Sequence, residues 1–448
     1  MGPLLPESFL GGRATPSSVG AERKPAGNPV AGTPTCQKPG AEYECYGPVQ
    51  VRTAYAFASL INHGEDGRGR TIAIIDAYQD PTINHDLAEF DSTFKLPAPP
   101  SFEVVAPFGI TPFEPSNEEQ VGWSGEIALD VEWAHAIAPG AKIKLVLSAT
   151  AEEREIVATE RYVVERHLGD VVSMSYVETE ECDAGSLARE EHAVFKKGVR
   201  EGMTFVAGSG DEGAANLNCE FTAKLPYPEV NLPASDPNVT GVGGTMLKAN
   251  SNSGKYESES VWNESPEEGA GGGGFSALYA PPRYQKGVRG ITTKRGVPDV
   301  AYSAAAHGGM AVVWGSSGQH KEFWDFAGTS EGAPQWAALT AIADQVANRR
   351  LGNINPALYA IAQAKGPRSF HDITKGNNSY PPVTGYSATP GWDAASGWGS
   401  PIAEFLVPAL ASSHAEHGDQ SAASADSLAR PTAPVQGGQH KVRALATR

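Results

Sequence analysis

The sequence predicts an α/β fold with a mostly parallel central sheet covered by helices on both faces. Three observations carry this. Apolar runs of strand length at Thr71–Asp76, Lys142–Leu147, Asp170–Ser175 and Thr204–Gly208 have the composition of strands buried on both sides. Longer helical stretches separate them, which is the β-α-β alternation of a parallel sheet. Glycine (50) and proline (34) are too frequent for a helical bundle. At 448 residues the chain is long enough to bury a large core.

Taken in order, residues 1–48 are rich in Pro, Gly, Ser and Ala and read as a flexible leader. A short helix is expected over Thr53–Ile61. The strand at Thr71 ends on Asp76, at the carboxyl end where α/β folds place their sites. Helices follow over Ile83–Phe94, from Trp123 to Ile137, over Ala151–His167 and over Leu187–Glu201. A strand is expected at Phe102–Val105 inside a Pro-rich excursion. Asn238–Thr245 reads as a strand and turn, Gly269–Gly274 as a flexible loop, and Gly296–Ala301 and Gly309–Trp314 lead into the helix at Ser330. The globular region is taken as one domain, 49–411, followed by an unstructured tail, 412–448.

Charge narrows the partners. A net charge of −17 and a pI near 5.1 argue against nucleic acid and against anionic membrane. No apolar run approaches the ~20 residues that span a bilayer. Met1–Pro6 shows no secretory signal. Four cysteines without a C-x-x-C pair allow two disulfides, most simply Cys36–Cys45 and Cys182–Cys219, or four thiols.

The chemistry concentrates in a few residues. Glu126 and Asp130 are four apart, so both carboxylates project from one face of a helix. Ile127, Ala128, Leu129, Val131, Trp133 and Ala134 around them are apolar, leaving the pair little water, and buried carboxylates share protons. His135, on another face, reads as structural. Asp211 lies in the Ser209-Gly-Asp-Glu-Gly213 turn at a strand end, as a turn former or a site carboxyl. Ser330 follows a Gly328-Thr329 turn just before a helical run, so Thr329 or Ser330 reads either as a helix cap or as part of a site. A Ser-His-Asp triad of the subtilisin type does not fit: Asp76-Ala-Tyr78 lacks its motif, and the position where its histidine would start a helix holds Glu126.

These motifs together resemble the sedolisin family, serine-carboxyl peptidases on a subtilisin-like three-layer α/β/α fold. The resemblance rests on Gly125-Glu-Ile-Ala-Leu-Asp130, Ala207-Gly-Ser-Gly-Asp211, Gly243-Gly-Thr245, Gly328-Thr-Ser330 through Pro334, Phe370-His-Asp372-Ile373 and Gly391-Trp-Asp393. It implies Ser330 as nucleophile, Glu126 as general base, Asp130 as the carboxyl orienting it and Asp211 as the oxyanion donor. It also implies one structural Ca²⁺, held by the Asp372 and Asp393 side chains and the backbone carbonyls of Ile373, Thr389 and Gly391. The protein implied is a secreted, acid-acting, monomeric endopeptidase on polypeptide substrates. Two departures stand out: Tyr176 where relatives commonly carry Trp, and a leader too short for the family's pro-region. The rival readings are a catalytically silent relative that binds without cleaving and a paired-carboxylate glycoside hydrolase.

Overall fold

The computed structural model describes residues 34–37, 45–182, 185–219, 223–266, 268–317, 323–365, 368–413 and 443–444. Most of the segments read as leader and tail therefore lie outside the described residues. At the centre, strand Thr71–Ala77 pairs in parallel with Lys142–Ser148 on one side and Val171–Met174 on the other. Phe102–Val105 continues the sheet beyond Lys142–Ser148, and Thr204–Gly208 then Val239–Ala249 continue it the other way, all in parallel. Val300–Ser303 adds in parallel to Val239–Ala249, and Tyr256–Val261 adds antiparallel.

Side-chain alternation along the middle strand divides the molecule into three layers. Ile72 and Ile74 enter one core, with Ile127, Val131 and Ala337. Ala73, Ile75 and Ala77 enter the other, with Ile156, Val163 and Phe195. Helices Glu118–Ile137 and Gly332–Ala347 thus cover the first face, and Glu153–Glu165 and Ser186–Arg200 the second. Asp76 shares the parity of Ile72 and Ile74, so it points to the face carrying Glu126, Asp130 and Ser330.

The local differences from the sequence reading have physical causes. The helix expected over Thr53–Ile61 breaks into Pro48–Ala54 and Ala58–Asn62, because Ala56 takes φ +60° between them. The helix expected from Trp123 starts at Glu118, where the Asn117 side chain accepts from the amides of Glu119 and Gln120. Gly271–Gly274 is buried, and does not form the loose loop expected there. Gly309–Val313 forms a hairpin with Phe323–Phe326. Cys45–Tyr46, assigned above to the leader, pairs with Gly309–Met310. Arg443–Ala444, in the tail segment, pairs with Tyr176–Val177. Both disulfides form, Cys36–Cys45 and Cys182–Cys219.

Candidate active site

Strand Thr204–Gly208 delivers the turn that carries Asp211. Gly210 has φ +115°, and a Cβ there would lie 2.3 Å from the Asn231 amide nitrogen, so only glycine fits. The turn is joined to the serine segment by three hydrogen bonds. The Gly210 amide donates to Thr329 Oγ1 (3.1 Å), while the Thr329 amide (2.8 Å) and hydroxyl (2.9 Å) both donate to Asp211 Oδ1. The Thr329 hydroxyl is thus not a helix cap. Ser330 sits in the middle of a 3₁₀ turn, Thr329–Glu331, and the α-helix begins one residue later at Gly332. Gly328, at φ +126°, makes the sharp entry. The Ser330 hydroxyl oxygen is buried without a hydrogen-bond partner among the described residues.

Glu126 and Asp130 are both fully buried on a helix enclosed on every side from Trp123 to Ile137, and that helix packs on the serine turn. The Ser175 hydroxyl donates to Asp130 Oδ1 at 2.8 Å. Burial, then the neighbouring Asp76 and Glu126 carboxyls, hold the Asp130 carboxyl well above the ordinary carboxylate range, with Ser175 pulling the other way. Burial pushes Asp76 up to about 8. Glu331, next to the serine, is likewise raised well above its ordinary value, by burial first and then by Asp325, with Asp211 and Glu264 contributing. Carboxyls that face one another away from water stay neutral to higher pH than exposed ones.

The glycine-rich segment backs this site. Gly272 donates its amide to Gly210 O (2.6 Å), Ala270 donates to Asp211 O (2.9 Å), and the Ser209 hydroxyl donates to Gly272 O (2.7 Å). A Cβ at Gly272 would lie 2.3 Å from Ser209 O. Two backbones touch here, which explains the glycines as close packing.

His135 is structural, as read: it is buried, with Nε2 2.7 Å from Pro97 O and 3.1 Å from Asp91 Oδ1. Tyr176 is buried beside Trp123, its ring centroid 6.4 Å away, and its hydroxyl donates to Glu160 Oε1 at 2.8 Å. Two residues near the carboxyl pair received no role from the sequence, Asp76 and Ser175. Strand parity was the available signal for Asp76; nothing local marks Ser175.

The loop carboxylates form a separate cluster. Gly391 donates its amide to both Asp372 oxygens (3.1 Å each), and Thr389 donates to Asp393 Oδ2 (2.8 Å). Asp393 Oδ1 accepts from the amides of Ala395 and Ser396. Gly391 has φ +82°, and the loop turns its amides toward the two acids. No group of three or more His, Cys, Asp or Glu side chains fit to hold a metal occurs among the described residues. A cation here would rest on two carboxylates and carbonyl oxygens, a hard donor set that suits Ca²⁺.

Fold and site together define a class: a three-layer α/β/α protein in which a serine turn, an acid bonded beneath it and a buried carboxyl pair meet on one sheet face. Comparison with known proteins agrees. In sequence and in structure the chain matches the sedolisin–kumamolisin family and its subtilisin-like serine-carboxyl peptidase fold. It is 34% identical to kumamolisin of Bacillus sp. (strain MN-32) over 377 residues, 82% of this chain and 63% of that protein. It is 34% identical to sedolisin of Pseudomonas sp. (strain 101) over 233 residues, 51% of this chain and 38% of that protein. The chain thus spans less than two thirds of the length of these relatives. A solved structure of Pseudomonas sedolisin, a serine-carboxyl proteinase complexed with two molecules of pseudo-iodotyrostatin, matches with a TM-score of 0.70 at 27% identity, over 82% of this chain and 98% of that one. No protein-family model matches the chain.

Proposed function

We propose that the protein is an acid-acting serine-carboxyl endopeptidase. The observation that carries this reading is the bonding of Asp211 to the amide and hydroxyl of Thr329, which sets a carboxyl beside Ser330. In this reading Glu126 accepts the Ser330 proton as the hydroxyl attacks the peptide carbonyl. Asp130, held by Ser175, orients Glu126 and shares its proton. Asp211 has Oδ1 occupied by two donors, so when protonated it donates from Oδ2 to the tetrahedral oxyanion. Collapse releases the amine with the proton from Glu126, and water then hydrolyses the acyl-serine by the same exchange. A neutral Asp211 is needed for the oxyanion, so activity falls as pH rises toward neutrality.

The glycoside hydrolase reading loses support, because its two carboxyls would flank an open sugar cleft and Glu126 and Asp130 are fully buried on successive turns of one helix. The deciding experiment is peptide hydrolysis between pH 3 and 7 by wild type, Ser330→Ala and Glu126→Gln. Both substitutions should lower kcat by at least about a thousandfold with folding intact. Equal activity in all three rejects the mechanism, and an inactive wild type supports a silent relative.

We also propose one structural Ca²⁺ on Asp372 and Asp393 with the Ile373, Thr389 and Gly391 carbonyls. When bound it supplies positive charge between two loop carboxylates and no chemistry to the serine. Chelation should lower the melting temperature and added Ca²⁺ restore it; identical melts in both conditions remove the site. The remaining parts of the reading, polypeptide substrates, a monomer and secretion, rest on the match to this family.

A further inference from the structure

The short strand Tyr176–Thr179 leaves the sheet directly after Ser175, the residue bonded to Asp130. Its far half pairs with Asn231–Leu232 through Glu178 and Thr179. Its near half, Tyr176 and Val177, pairs antiparallel with Ala444 and Arg443 of the chain's own C-terminal segment. Helix Glu118–Ile137, which carries Glu126 and Asp130, packs on the same two residues. An extended strand laid antiparallel beside a catalytic centre is how a polypeptide substrate gains affinity through main-chain hydrogen bonds. The direction fits too. From Arg443 opposite Val177 to Ala444 opposite Tyr176, the segment runs toward Ser175 and the carboxyl pair.

We infer that the Arg443–Ala444 segment is a built-in occupant of the peptide-binding edge, competing in cis with substrate; this rests on the peptidase reading above. The last eight residues hold Lys441, Arg443 and Arg448 and no acid, within a chain of net charge −17. The segment belongs to the same chain, so it competes as an intramolecular ligand, at an effective concentration on the order of millimolar. Substrates well below that concentration meet an occupied edge, and the cost appears in KM while kcat is untouched.

The test uses the full chain with Arg443→Pro and Ala444→Pro together, which remove both backbone donors of the added strand and touch no residue of the site. Amide hydrogen exchange should show protection at Arg443–Ala444 and Val177 in wild type, with Val177 protection lost in the variant. Peptide hydrolysis at acid pH should show KM lowered by at least about threefold with kcat unchanged. A synthetic peptide of the last nine residues, added to the variant, should restore the wild-type KM competitively. Absence of protection in wild type, or equal KM in the two proteins, overturns the inference. Protection that disappears in the variant while neither protein cleaves peptide at any pH overturns the peptidase reading and leaves the pairing standing.

Discussion

Two regions of this molecule bury carboxyls completely and solve the cost in opposite ways. Around Asp299 the carboxyl is met by Arg295, which donates to Oδ1 at 2.9 Å and to Oδ2 at 2.8 Å, with Tyr359 and the Gly241 amide completing the shell. Both partners are fully buried, and the guanidinium's remaining donors reach the carbonyls of Ala234, Ser235 and Val239. Around Asp130 the groups acting on the carboxyl include Asp76 and Glu126, both acids, and the Ser175 hydroxyl. The first region sets a guanidinium against its carboxyl, while in the second burial favours the protonated form of Asp130 and Asp76. Carboxyls that burial holds neutral make stability depend on acidity.

The comparison breaks most visibly at Arg295. Replacing it by Met leaves Asp299 buried without its cation, and should cost about 3–5 kcal/mol in urea denaturation at pH 5. A cost below about 1 kcal/mol would mean that Asp299 is held by its other donors and that the contrast is false.

The second effect concerns the protons. Burial raises Asp76 to about 8, Asp80 to about 7, Glu229 to about 8 and Asp344 to about 8. For an acid raised on folding, the stability it contributes is complete below the ordinary carboxylate range and is lost as pH climbs through the folded value. Wild type should therefore melt progressively lower from pH 5 to pH 8. In Asp76→Asn the slope of melting temperature against pH should flatten, because one of these protons no longer leaves. A wild-type melt that is level or rises over that interval contradicts the neutral-cluster account.

The smallest effect sharpens the comparison inside the site. Ser175 favours the ionised form of Asp130, so Ser175→Ala should make that carboxyl harder to ionise. The acid limb of kcat should move to higher pH, with a loss of roughly tenfold at its foot, the scale of one hydrogen bond to a charged group. An unmoved limb would leave Ser175 a packing residue.

Much of this was legible in the sequence, for reasons that particular residues show. Ile83–Phe94 and Phe102–Val105 were read to the residue, because local periodicity and turn chemistry decide both ends. The serine segment, Glu126, Asp130 and Asp211 could be singled out because each lies in a short motif. Tyr256–Val261 was not found, since Tyr-Glu-Ser-Glu-Ser-Val looks like a polar loop until its pairing is known. Glu259 is buried there because Tyr55 (2.7 Å), Thr245 (2.7 Å) and Ser400, none of them a sequence neighbour, donate to it. Thr329 stayed open between a cap and a site residue for the same reason. Its hydroxyl has a partner 118 residues earlier that outcompetes the local cap. What the sequence hid was pairing across the chain.

The glycine-rich segment on the Asp211 turn has a consequence for how such a protein can vary. Where two main chains touch, no side chain is present whose size or polarity could be traded against another. A neighbour that changes cannot be answered by a complementary change, so Gly210 and Gly272 form a contact that drift can only lose. In a saturation scan for folded protein both positions should refuse every other residue, although neither carries a polar side chain.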